Sequence, residues 1–292
     1  MAVYKRNYQR YDGPLTETPW RFTILLRYAV KEVFDSKLFT AFFSICFGPT
    51  LGAFLIIYLT HSAAALATLG LPPVAAAIEI SNNFFMTVLD IQTTLAFFIA
   101  AFLGPNLVTP DLANSALSLY LSRPLTRTEY VLGRLSVLLG LTSLITWIPT
   151  LFLYSFQAVL EGGSWLWDNL RTGAAIFVVS WVWILTISLL ALALAAVTRT
   201  RAFGGIFMFV IFFAASGFGN TANALLWQDS DTKWGSLIDL RSVHQTISKW
   251  LFDVPYVSDV PVWSAWMAMC VLCGISMMVL ARKIRAVEVV RG

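Results

Sequence analysis

Ser216, in the run FFAASGFGN, is a hydroxyl among small residues inside an apolar stretch, the setting a membrane-embedded nucleophile would have. Such a hydroxyl needs a base within hydrogen-bond reach. The two histidines, His61 and His244, both fall in segments expected outside the apolar runs. Paired intramembrane aspartates and a His-Glu-x-x-His helix are also lacking. Small residues at such a point otherwise let helices pack closely, so an intramembrane enzyme is the less favoured reading and no catalytic residue is expected. Cys270-x-x-Cys273 has the spacing of a redox or metal pair. Neither a histidine nor a further cysteine accompanies it, Cys46 being far off in sequence, so two small apolar side chains in a helix are expected, with no metal.

Asp90 is the one carboxylate inside an apolar run, near its outer end, with Gln92 two residues on and Asn82 and Asn83 just before. An ionisable group inside a membrane segment points to a pathway or a ligand. Asp90 and Gln92 are therefore the candidate gate or substrate contacts, against the plainer alternative of a water-facing carboxylate at the interface. Carriers driven by protons or sodium place several such groups at mid-membrane, and this chain offers only Asp90. A Gly-x-x-x-x-Gly-Lys-Ser/Thr phosphate loop is absent. Work done by this chain would draw its energy from elsewhere.

The elements that must position these groups follow from composition. Of 292 residues, 58% are hydrophobic and only 12% charged, with a mean hydropathy of +0.73. A water-soluble domain carries about 25% charged residues, so most of this surface must face lipid. Crossing about 30 Å of hydrocarbon takes roughly 20 apolar residues. Six windows qualify: Leu38 to Leu59, Phe84 to Val108, Val131 to Phe156, Ala174 to Val197, Phe203 to Gly219 and Val262 to Ala281. Gly48-Pro49 should kink the first. The apolar but Gly/Pro-broken stretch from Ser62 to Ile80 reads as an outer loop with short helical pieces.

Basic residues set the orientation. With both termini inside, sixteen of the 20 lysines and arginines fall in inner segments and four (Arg171, Lys233, Arg241, Lys249) in outer ones. The first 20 residues carry no apolar core of a signal peptide, which agrees with a cytoplasmic N-terminus. The net charge of +4 is thus membrane bias and gives no case for nucleic acid.

Two inner segments have helical patterns of their own. In residues 18 to 37, Thr18-Pro19 is a good helix start. Arg21, Arg27, Lys31, Glu32 and Asp35 gather on one face, with Phe22, Leu25, Leu26, Ala29, Val33 and Phe34 on the other. That pattern predicts a helix lying flat at the interface. Between the second and third windows, Asp111 after Pro110 can cap a short helix with Leu112, Ala116, Leu117, Tyr120 and Leu121 in a stripe, stopped by Pro124. Thr126-Arg127-Thr128-Glu129 then matches a capping box that starts the third span. The insert either docks in a groove of another protein or rests on the bilayer.

The stretch DLANSALSLYLSRPLTRTEYVLGRL, preceded by Gly104-Pro105, resembles the intracellular loop of ABC-2 type transporter permeases. The match lies in the acidic Asp111, in Leu119 to Pro124 (L-Y-L-S-R-P), in Arg127 and Tyr130, and in Gly133 followed by Arg134. It extends to RYAVKEVFDSK before the first span and to the RKIRAVEVVRG tail, so it covers most of the chain. The resemblance implies an all-α permease with residues 1–17 as a cytoplasmic tail, 18–37 as an interfacial elbow helix, 38–281 as a six-span domain and 282–292 as a basic cytoplasmic tail. Within it, 220–261 would form outer amphipathic helices closing the pathway. The insert would be a coupling helix carrying Asp111, Leu117, Tyr120, Leu121 and Arg123 against a separate cytoplasmic ATPase, which would bind ATP and Mg; no cofactor is expected in this chain. A second permease copy or a related permease would complete a dimer among membrane lipids, in the bacterial inner (plasma) membrane. The exported substrate stays open among lipids, glycans, peptides and drugs, and a non-transporting scaffold or receptor bundle is the alternative.

Overall fold

Two of the apolar runs break just before a proline, and those breaks shape the bundle. The computed structural model describes residues 22–62, 79–113, 127–198, 200–228, 230, 232–255 and 259–284. Among them every regular element is helical. In chain order these are α1 (Phe22–Phe34), α2 (Lys37–Ile45), α3 (Gly48–His61), α4 (Asn82–Ala113), α5 (Arg127–Ile145), α6 (Trp147–Glu161), α7 (Gly163–Asp168), α8 (Leu170–Val197), α9 (Arg201–Leu226), a 3-10 turn at Trp234–Leu237, α10 (Leu240–Leu251) and α11 (Val262–Lys283). Six stretches are long and apolar enough to cross a membrane: Lys37–His61, Asn82–Leu112, Thr128–Glu161, Leu170–Val197, Phe203–Leu226 and Val262–Lys283. They coincide with the six windows expected from the sequence and are numbered spans 1 to 6.

Spans 1 and 3 are each two helices. Span 1 breaks at Cys46 and Phe47, and Pro49 sits in the first turn of α3, where its missing N–H costs nothing. The kink expected at Gly48-Pro49 is therefore present. Span 3 breaks at Thr146, with Pro149 in the first turn of α6. Around that break Thr142, Thr146 and Thr150 each donate to the carbonyl four residues back, at 2.6, 2.8 and 2.8 Å. Threonines bonded in this way bend helices.

Span 2 behaves differently. α4 runs unbroken through Pro105 and Pro110 to Ala113, so Asp111 lies in its last turn and does not cap a new helix. Neighbours explain how the prolines are tolerated. Pro105 cannot donate to the Ala101 carbonyl, and Gly205 of span 5 approaches that oxygen so closely that a β-carbon there would lie 3.0 Å from it. One turn away, a β-carbon on Gly104 would lie 2.6 Å from that of Ala191. Glycine is required here because the backbones of spans 2 and 4 meet.

Span 4 is the axis, the most buried of the six, with α4 packed along it; spans 1, 5 and 6 turn most of their surface outward. Exposed Ile206, Phe207, Val210 and Phe213 make one side of α9 a lipid-type surface. α1 packs beside α5 with Ala29 and Val33 buried and Arg27, Lys31 and Glu32 exposed, the amphipathic division expected for it. Phe34 departs from that division, being exposed, but its ring meets Phe39 and Phe43 edge-on.

At the opposite end α10 is amphipathic as expected for the 220–261 segment. Leu240, Val243 and Ile247 are buried between spans 4 and 6, each stabilising by about 1.5–3 kcal/mol. Both ends of α10 are fastened. Asp239 caps the start, accepting from Arg241 N at 3.0 Å. Arg171, at the start of span 4, donates to the Trp250 and Leu251 carbonyls at 2.9 and 3.2 Å, a cation at the negative end of the helix. It also pairs with Asp253 at 2.9 Å. Asp253 has φ 56°, the left-handed conformation that ends the helix.

Candidate functional site

Asp111, Tyr130 and Arg134 come from the end of α4 and the first two turns of α5, and they converge. The Tyr130 hydroxyl donates to Asp111 Oδ2 at 2.7 Å, and the Arg134 guanidinium donates to the same oxygen at 2.6 Å. Tyr130 and Arg134 are four residues apart, hence on one face of α5, with the guanidinium 5.6 Å from the ring centroid. All three are shielded: Tyr130 is 0% exposed, and the side chains of Arg134 and Asp111 are 9% and 13% exposed. A carboxylate taken from water is tolerated only when paired and hydrogen-bonded, and here it is both.

These are three of the residues that carry the sequence resemblance, and they flank the insert on both sides. The carboxylate of Asp111, expected against a partner, is bonded within the chain. Leu117, Tyr120, Leu121 and Arg123 lie outside the described residues. So do Thr126 of the expected capping box, Thr18-Pro19, the tail from residue 285 and most of 62–80. α5 begins at Arg127 with Glu129 in its first turn, as the capping box requires.

The other two expected residues separate. Gln92 is 0% exposed and donates from Nε2 to Thr50 Oγ1 at 2.5 Å, while its Oε1 accepts from Thr150. It ties spans 1, 2 and 3 together near the breaks in spans 1 and 3. Asp90, two residues away, points elsewhere. Its Oδ2 accepts from Gln245 Nε2 of α10 at 3.1 Å, beside a cavity of about 90 Å³. Asn82 accepts from Thr172 at 2.6 Å, joining spans 2 and 4, and Asn83 is exposed.

Sequence reasoning missed His244. It is 3% exposed, its ring 4.5 Å from that of Trp183, and its Nε2 lies 3.4 Å from the Val179 carbonyl. Burial holds the imidazole neutral, well below the ordinary histidine range, with the Asp90 carboxylate opposing that shift. The signal was available: His244 shares the helical face of Leu240, Val243 and Ile247.

The groups weighed for covalent or metal chemistry have other partners. Ser216 donates to Asp239 Oδ2 at 2.9 Å, steadying the α10 cap. Cys273 contacts Thr186 at 3.4 Å and Cys270 is exposed. Among the described residues no group of three histidine, cysteine or acidic side chains is arranged to hold a metal.

Known proteins offer no further guide. No protein-family model matches this sequence, and no curated protein does.

Proposed function

We propose that this chain is the permease subunit of an ATP-driven exporter of the ABC-2 type, with a separate ATPase docked on residues 111–123. The observation that supports this reading most is the buried Asp111–Tyr130–Arg134 junction. It fastens the flanks of the insert to each other, so a push on the insert moves the ends of spans 2 and 3 as one body. An insert that only rested on lipid would need no such fastening. α4 then acts as a lever: the stretch from Asp111 back to Asp90 is continuous helix, roughly 30 Å at 1.5 Å per residue. Spans 1 and 3 are broken midway and can bend where span 2 cannot. In this reading the partner supplies the ATP and Mg chemistry, and this chain supplies the docking helix, the junction and the lever.

The asymmetry of basic residues puts the insert, α1 and both termini in the cytoplasm. A dimer with a second copy or a related permease would form the pathway. The docking test replaces Tyr120 and Leu121 with alanine. Aromatic anchors in an interface commonly cost about 2 kcal/mol when truncated, roughly thirtyfold in affinity, so the variant should insert normally yet fail to co-purify with its ATPase. Retention of the ATPase at wild-type level would leave the scaffold alternative in its place. Orientation is tested separately: Ser164→Cys and Ser230→Cys, both at exposed positions, should react with an impermeant thiol reagent from outside, and Ser118→Cys should not.

A further inference from the structure

The cavity beside Asp90 is lined by two opposite charges, Asp90 and Arg241, and by the rings of Phe97, Phe98, Phe213 and Trp183. The charges do not pair with each other: among the described residues the Asp90 carboxylate takes only the Gln245 amide, and the Arg241 guanidinium has no ion pair or hydrogen bond. Opposite charges beside the same small, aromatic-walled space attract strongly unless the walls hold them apart. The nearby hydroxyls do not compensate, because Thr93 and Thr94 both donate to the backbone carbonyl of Asp90, at 3.0 and 2.9 Å. Aromatic faces favour a cation, and the Asp90 carboxyl oxygens can accept from its N–H groups. Arg241, on the exposed side of α10, is available to an anionic group close to that cation.

We infer that this cavity binds the zwitterionic headgroup of an aminoethyl phospholipid, its ammonium at Asp90 among the rings and its phosphate at Arg241. The wall supports a lipid source. Phe213 is 64% exposed on the apolar outer side of span 5, so the cavity lies beside a surface of lipid character and acyl chains could run along Ile206 and Val210. Size selects the amine. A cavity of about 150 Å³ takes benzene; one of about 90 Å³ has room for a primary ammonium on its ethyl stem and is too small for a trimethylammonium group. The inference goes beyond the permease reading and does not depend on it, because binding here needs no ATPase.

Native mass spectrometry of the purified full-length chain in mild detergent tests it. Phosphatidylethanolamine, phosphatidylcholine and phosphatidylglycerol with identical acyl chains are added at equal concentration. Phosphatidylethanolamine should be retained at least tenfold over the other two. Asp90→Asn and Arg241→Gln should each remove that preference while leaving weak, unselective retention, with unchanged helicity by circular dichroism. Arg241→Lys, which keeps the charge at an exposed position, should preserve most of it. Equal retention of the three lipids, or a preference that survives Asp90→Asn, would overturn the assignment. Soluble glycerophosphoethanolamine should compete only at much higher concentration; competition at equal concentration would overturn the lipid as source and leave a soluble phosphoethanolamine ester as the ligand.

Discussion

The two ends of α4 treat charge in opposite ways. At Asp111 a phenol and a guanidinium both donate to one carboxylate oxygen. At Asp90 a carboxylate and a guanidinium share the lining of a cavity and stay apart. A filled junction is rigid, and its removal should damage folding or the transmission of force. An open one is receptive, and its removal should change binding and leave the fold. One helix thus ends in a bonded cluster on one side and borders a cavity near the other.

The comparison is broken most severely at the joint. Asp111→Ala leaves the Arg134 cation buried and unpaired, a loss of about 3–5 kcal/mol in comparable cases, whereas Asp90→Asn should leave the melting temperature nearly unchanged. Thermal unfolding in detergent measures both, and equal losses would erase the distinction between the two ends. Next in size is Gln92→Leu. It strands the Thr50 hydroxyl, while Thr150 keeps the Thr146 carbonyl, and should cost about 1–3 kcal/mol, read from the same melts, without altering lipid selectivity. A change in selectivity would favour the pathway role that the sequence suggests for Gln92.

The smallest effect is the pH dependence of His244. Its pKa is lowered in the fold, so the unfolded chain binds the extra proton first. Its contribution to stability is complete above the unfolded value of about 6.5 and is lost progressively as pH falls below it. His244→Gln should flatten the melting temperature between about pH 6.5 and 5 relative to the wild type. An unchanged slope would assign the acid sensitivity to other groups.

What the sequence disclosed is what local rules control. Six spans follow from apolar length, the kink at Pro49 from a missing donor, and the two faces of α1 from helical spacing. What it hid depends on distant partners. Asp111 looked like the cap of a new short helix, but it lies in the last turn of α4, its carboxylate bonded by residues 19 and 23 positions away. Span 5 was read as ending at Gly219. It reaches Leu226, and there the Asn223 side chain bonds Gly235 N and Ser236 Oγ of the following turn, at 2.8 and 2.9 Å. Arg171 was counted only as an outer charge, and its hold on α10 spans about 80 residues. Gln92 and Asp90 were grouped because they are two apart in sequence. That spacing on a helix turns them to different sides.

The central claim is that the Asp111 junction makes the insert and the ends of spans 2 and 3 one body, so that the partner's ATP cycle moves the far end of α4. Pulsed-EPR distances between labels at Asn83→Cys and Ser164→Cys, both exposed positions away from the junction, test it in the complex of this chain with its ATPase. The nucleotide-free and vanadate-trapped states should differ in the distance distribution with Asp111 intact. With Asp111→Asn the ATPase should remain bound while the two distributions become the same. An identical shift in both proteins, or no shift in either, would contradict the account.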